Sequence, residues 1–260
     1  MRLACRNGKF ASPTSGYAAG HIQANLLILP LSAASSFFAL CQRNPLHRPL
    51  LAYSKPGSAT EFISNLLGFT GEEIVDKDFD VRTYAPEYYL YENGVSFYEA
   101  QEVKKWFKSN DGTHSSMEQH FAFLIGCSFS LERALADAGL PPRHWSTSSD
   151  HRFGKNCPMY QTTVRLLPAG IFTNAGCMVV SMRPYQEKEV ERVRQITAQF
   201  GSMDGEPVAW GWNAVAKLGI KDIYNVDFDG PTEVRFEDGE APVFWVSFAI
   251  QRGKVLDNTC

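Results

Sequence analysis

The sequence predicts a mixed α/β fold in two closely packed subdomains, and three observations carry that prediction. First, Met178–Ser181 (MVVS) is a buried-strand run, and Gln186–Phe200 after it sets Val190, Val193, Ile196 and Phe200 on one helical side. Second, Tyr88–Tyr91 and Val95–Tyr98 flank Glu92-Asn93-Gly94, and Asn-Gly between two aromatic runs signals a hairpin. Third, Val243–Ile250 (VFWVSFAI) closes the chain as another buried strand. Strands alternating with helices around one hairpin make a mixed α/β architecture. The 260 residues, 44% of them hydrophobic, suffice for a real core. Subdomain edges are expected near 75–115 and 145–170.

The remaining elements follow in order. Ile22–Leu29 is a β-leaning apolar run ended by Pro30, and Ser32–Arg43 reads as a helix with Phe37, Phe38 and Cys41 inward. Leu50–Tyr53 is a short strand, a short helix is expected over 60–68, and Glu99–Lys108 reads as a helix. Residues 109–116 read as a polar loop, and Met117–Ile125 is open between helix and strand because a short apolar run fits both. Leu131, Ala134, Leu135 and Ala138 recur at helical spacing, Gly139 suits the position after the last turn, and Pro141 forbids continuation. Residues 141–158 form a long loop, a length that is more often functional than idle.

Bulk properties exclude several function classes. A net charge of −3 argues against a nucleic-acid partner. No apolar run approaches the ~20 residues of a membrane span. Six scattered cysteines without a CxxC pair argue for a reducing compartment and against a disulfide framework. The six histidines show no metal-ligand spacing, so no metal is expected, and no nucleotide-binding or GxSxG motif is present, so no cofactor is expected. Residues 1–60 hold no Asp or Glu, as in a mitochondrial leader, yet the same stretch carries IQANLLILP and the Asn44-Pro45 and Arg48-Pro49 turns of folded structure. A cytoplasmic location is the expectation, with a mitochondrial one as the alternative.

Candidate site residues cluster around FLIGCSFSLERAL. Cys127 reads either as a nucleophile activated by a helix start or as a packed thiol. Ser128 and Ser130 precede the periodic residues, with Ser130 as the helix cap; the same free N–H groups would seat a carboxylate or a developing oxyanion. Glu132 reads as surface charge or as a general acid/base. Asn156-Cys157-Pro158-Met159-Tyr160 is a tight turn bearing a phenol, with Tyr160 either core or proton donor. Arg183, just past a buried strand, is placed to grip a carboxylate in bidentate fashion or to make a structural ion pair. Arg82 is a weaker candidate, as are His21, Gln23 and Asn25, which alternate along one strand face. Together these residues describe a pocket for a small anion.

Several stretches, GHIQANLLILP, FFALCQRNPLHRPLL, DFDVRT, FLIGCSFSLERAL, NCPMYQTT, VVSMRP and GEAPVFW, run in order along nearly the whole chain. In these the chain resembles the D-glutamate cyclase family of hydro-lyases. The resemblance implies a two-part α/β fold, a three-layer α/β/α part beside a smaller two-layer part. It also implies dehydrative cyclisation of D-glutamate to 5-oxo-D-proline. A small amino-acid or carboxylic-acid substrate would then be the partner, with homo-oligomerisation open. In that reading Arg183 or Arg82 clamps the α-carboxylate and Ser128 and Ser130 hold the γ-carboxyl group. Glu132 or Tyr160 moves protons, while Gln23, Asn25, Cys127, Asn156 and Met159 line the substrate. The chain departs from the family pattern at Gln161 and Thr163, at Ala209 and Trp212, and at Arg48, where the pattern has cysteine. Two further readings follow from these departures: a lyase for a larger or more apolar acid, and a silent binding protein on the same fold.

Overall fold

The computed structural model describes residues 2–11, 14–17, 20–92, 95–100, 102–107, 119–145, 157–228 and 234–248. The chain opens with a short helix, α1 (Arg2–Arg6), followed by β1 (Ala24–Pro30), α2 (Leu31–Arg43), β2 (Leu50–Ser54) and β3 (Phe62–Ser64). Then come α3 (Gly71–Ile74), the hairpin β4 (Tyr88–Glu92) and β5 (Val95–Ala100), β6 (His120–Gly126) and α4 (Phe129–Asp137). The last third holds β7 (Met159–Arg165), β8 (Cys177–Gln186), α5 (Val190–Ala198), β9 (Ala209–Trp210), α6 (Trp212–Leu218) and β10 (Glu240–Ser247). Two four-stranded sheets result, in the orders β1-β6-β2-β3 and β7-β8-β10-β9, and every pairing in them is antiparallel.

Each sheet is covered on both faces. Phe37, Leu40 and Cys41 of α2 pack on Leu50, Phe123 and Ile125, while Ala52, Ala122 and Leu124 face Val81, Tyr88, Leu90 and Phe107. On the second sheet, alternation along β8 separates two environments. Val180 and Met182 pack with Tyr160, Phe244 and Leu218 of α6; Tyr185 joins Val243, Trp245, Leu131, Leu135 and Val193 under α4 and α5. Ser181 and Arg183 share that second face, because they pair with Trp245 and Val243 across the ladder.

Four expectations need correction. The strand read as Met178–Ser181 runs on to Gln186, so Arg183 lies within β8 and no strand end delivers it. Pro184 sits mid-strand opposite Pro242, where neighbouring β7 and β9 stop short and no ladder partner is lost. Residues 60–68 hold β3, because Phe62 buries its ring and pairs with Ser54. Over Glu99–Lys108 the predicted helix yields to cross-strand pairing, Tyr89 with Glu99 and Tyr88 with Ala100, and only a 3-10 turn, Lys104–Trp106, follows. Cysteine usage also differs: Cys5, Cys41, Cys127 and Cys157 are free, but Cys177 is disulfide-bonded. The other expected strands and helices stand, including the hairpin, whose Asn93-Gly94 turn lies outside the described residues, as do the loop read over 109–116 and residues 146–156 of the loop read over 141–158. At the end of α4, Gly139 takes φ 80°, and the Gly139 and Leu140 N–H groups close on Ala136 and Leu135. That Schellman closure needs a left-handed residue, which is why glycine stands there.

Candidate active site

The α4 start faces Ser181 and Arg183 of β8, and there the chain buries a charged network. Glu132 and Arg183 are both 0% exposed. Arg183 donates from Nη2 at 2.5 Å and from Nε at 3.0 Å to Glu132 Oε1, from Nη1 to Ser181 Oγ at 3.1 Å, and from Nη2 to Ser128 Oγ at 3.2 Å. Its guanidinium carbon lies 5.1 Å from the Trp245 ring centroid, a cation–π contact. Oε1 of Glu132 also meets His144 Nε2 at 2.9 Å. Oε2 accepts the Ser15 hydroxyl at 2.5 Å and the Trp145 indole N–H at 3.0 Å. Ser15 Oγ is 2.8 Å from the same indole nitrogen and 3.2 Å from His144 Nε2. Glu132 therefore accepts from five donor atoms, enough to hold a carboxylate charged out of water.

Burial alone would push the Glu132 carboxyl up; the Arg183 and His144 charges and the hydrogen bonds from His144 and Ser15 outweigh it and hold the group down to about 2. A second buried carboxyl, which also feels the Arg183 charge, behaves oppositely. Asp204 is 6% exposed and adopts φ 70°, the one positive φ among the described residues other than glycine. Burial drives its pKa well above the usual carboxylate range, against the pull of Arg183 and of the Ser128 N–H that it accepts. Two carboxyls near one guanidinium are thus pushed apart, Glu132 towards the anion and Asp204 towards the acid, the pattern that divides acid and base roles in enzymes.

The seat expected at the α4 start is filled by the protein itself. Ser128 N–H donates to Asp204 and Phe129 N–H to the Cys127 thiol, while Ser130 and Leu131 close on the Cys127 and Ser128 carbonyls. Ser130 does not cap the helix. It lies in the first turn, where its Oγ accepts the Gln23 N–H at 2.8 Å and donates to the Gln23 carbonyl at 3.2 Å, stitching the start of β1 to α4. Burial pushes the Cys127 thiol up to about 12, which does not suit a nucleophile.

Of the residues singled out from sequence, Ser128, Glu132 and Arg183 meet in the buried network, with Cys127, Ser130 and Gln23 beside it. Met159 pairs with Ser181 and shares its face. Asn25 lines a separate cleft along β1, and Arg82 is committed to Asp80 through Nε and Nη2. Tyr160 points to the opposite face, fully buried, with its hydroxyl donated to the Ile223 carbonyl. Asn156 lies outside the described residues. Sequence reasoning missed Ser15, His144, Trp145, Ser181 and Asp204. Ser181-x-Arg183 at strand spacing and the Asp204-Gly205 turn were usable signals; the others reach Glu132 only through tertiary packing.

The divergent positions bond elsewhere. Gln161 N–H donates to Asp227, the Thr163 hydroxyl reaches the Leu218 carbonyl at 3.5 Å, and the Trp212 indole reaches the Glu240 carbonyl. A cavity of about 360 Å³ opens beside the α4 start, walled by Gln23, Phe129, Ser130, Arg133 and Met203, the residue before Asp204. Among the described residues no three His, Cys, Asp or Glu side chains converge as a metal site, and no helix is long and apolar enough to cross a membrane.

The family model for D-glutamate cyclase matches residues 121–253, a span containing Ser128, Glu132, Ser181, Arg183 and Asp204. A protein named "putative hydro-lyase" from Schizosaccharomyces pombe is 41% identical over 245 residues, covering 94% of this chain and 72% of that protein. One of the same name from Bordetella petrii is 41% identical over 244 residues, 94% of this chain and 80% of its own. A third, from Geobacillus kaustophilus, is 38% identical over 245 residues, 94% and 81% of the two chains. With identities of this size across nearly its whole length, and with the buried network inside the matched span, the chain belongs to the D-glutamate cyclase family.

Proposed function

We propose that the protein is a hydro-lyase that closes D-glutamate to 5-oxo-D-proline with loss of water, using Asp204 as the proton carrier. The observation that carries this reading is geometric: Glu132 is saturated by five donor atoms, whereas Asp204, 6% exposed, accepts the Ser128 N–H at the same helix start. Closure moves two protons from the substrate ammonium to a departing carboxyl oxygen, with no net gain or loss. A neutral acid in a dry site suits both transfers: it protonates the γ-carboxyl oxygen, and its conjugate base then takes a proton from the ammonium as nitrogen attacks the γ-carbon. A second exchange of the same kind releases water and restores the acid. Glu132, saturated with donors and held down to about 2, is a poor base; it positions Arg183, whose charge limits how negative the centre becomes. The cavity of about 360 Å³ falls in the usual size range for small-molecule sites and holds Gln23 and Ser130 in its wall; Glu132, Arg183 and Asp204 lie behind that wall, with Met203 the lining residue next to Asp204. Holding the substrate folded there makes the attack intramolecular.

The test is incubation with D- and L-glutamate, following 5-oxoproline by chiral chromatography. D-Glutamate should turn over, and Asp204→Asn should slow it by about 10²–10⁴-fold. Absence of turnover by the wild type on either enantiomer would overturn the reading.

A further inference from the structure

One partly buried cation takes no part in this chemistry. Arg48 donates from Nη1 to the His47 carbonyl at 2.9 Å, and its guanidinium carbon lies 4.9 Å from the centroid of the Phe248 ring. Its Nε is buried with no hydrogen-bond partner. Burial pulls its pKa down, and the group acting against that is the Cys41 thiol, itself pushed up to about 12 and therefore neutral. Among the described residues no acidic side chain pairs with Arg48, and a largely dehydrated guanidinium without a carboxylate is an arrangement that an anionic ligand would relieve.

The surroundings say which anion. Arg48 stands in the wall of a cleft of about 2140 Å³ along β1, and at its end of that cleft the walls are Phe37, Leu40, Phe172, Ala175 and Phe248. The acidic lining residues, Glu72, Glu73, Asp76, Glu87 and Glu92, all belong to the 72–92 segment. A single cation among aromatic and aliphatic side chains matches one negative charge on an apolar body. The Nη groups of a guanidinium can donate to the oxygens of a carboxylate. We propose that the Arg48 end of this cleft is a binding site for a monocarboxylate bearing a hydrocarbon chain or ring, its carboxylate on Arg48 and its tail against Phe37, Phe172 and Phe248. Glu132, Arg183 and Asp204 do not line the cleft, so this site stands independently of the cyclisation reading.

Calorimetric titration of the full chain with octanoate, octanol and inorganic phosphate tests it. Octanoate should bind at least about tenfold more tightly than either other probe, and Arg48→Met should weaken octanoate about tenfold or more while leaving octanol unchanged. Equal affinity for octanoate and octanol, or an Arg48→Met protein that binds octanoate as the wild type does, would overturn the proposal. The wild type supplies a second readout that needs no variant. Octanoate should slow phenylglyoxal modification of Arg48, read by peptide mass spectrometry, and octanol should not; unprotected Arg48 would equally sink the site.

Discussion

Arg183 and Arg48 are two guanidiniums with opposite surroundings, the first fully buried and the second partly so. Arg183 donates from all three nitrogens to Glu132, Ser181 and Ser128 and rests on Trp245. Arg48 rests on Phe248 in the same manner, yet makes one hydrogen bond to a neighbouring carbonyl and leaves Nε unused. Burial of a charge therefore does not announce its role. A satisfied cation fixes the geometry of a site, whereas an unsatisfied one is poised to receive a ligand.

The largest expected effect turns the first arginine into a version of the second. Glu132→Ala strands Arg183 without a counter-ion, and urea denaturation should show a loss of about 3–5 kcal/mol. Arg48→Met should go the other way, raising stability by about 1 kcal/mol or more, since an uncompensated charge gives way to an apolar chain of similar length. If Arg48→Met is as destabilising as Glu132→Ala, the contrast between the two arginines fails. Next in size, Tyr160→Phe removes the donor to the Ile223 carbonyl and should cost about 1–3 kcal/mol, while turnover of D-glutamate stays within about threefold, because the phenol lies on the other face of the sheet. Smallest in stability is Asp204→Gly, where relief of a left-handed residue is set against a Ser128 N–H left without its acceptor, so that stability should change by less than about 1 kcal/mol while turnover is lost.

The two carboxyls also predict opposite pH dependences. Glu132, depressed from 4.5 to about 2, contributes stability that is present above 4.5 and lost as pH falls towards about 2. Asp204, raised from 3.8, contributes stability fully present below 3.8 and lost as pH rises through its folded value. Denaturant midpoints measured against pH should therefore fall for wild type relative to Asp204→Asn as pH increases, and rise relative to Glu132→Gln. Parallel curves for the three proteins would remove the basis for dividing the two roles.

Much of the fold was legible because it rests on local patterns. The β4–β5 hairpin follows from Asn-Gly between aromatic runs, and the α4 end follows from Gly139 and Pro141. Errors arose where tertiary pairing overrode local preference, as in β3 and the second half of β5, or where a strand was ended too early, as at Ser181 in β8. Within the site, Ser128, Glu132 and Arg183 were visible as a polar helix start and an arginine near a buried strand. Ser15, His144 and Trp145 reach Glu132 from 117, 12 and 13 residues away in sequence, and no local pattern encodes that meeting. Asp204 escaped because a charged residue before glycine reads as a surface turn, whereas folding carries it under Ser128.

The central claim is that Asp204 is a neutral acid while Glu132 is an anion. Infrared difference spectroscopy at neutral pH, comparing wild type with Asp204→Asn and Glu132→Gln, tests it directly. The carbonyl stretch of a protonated carboxylic acid should be present in the wild type, absent in Asp204→Asn and retained in Glu132→Gln. A wild-type spectrum without that band, or a band that disappears with Glu132→Gln and survives Asp204→Asn, would contradict the account.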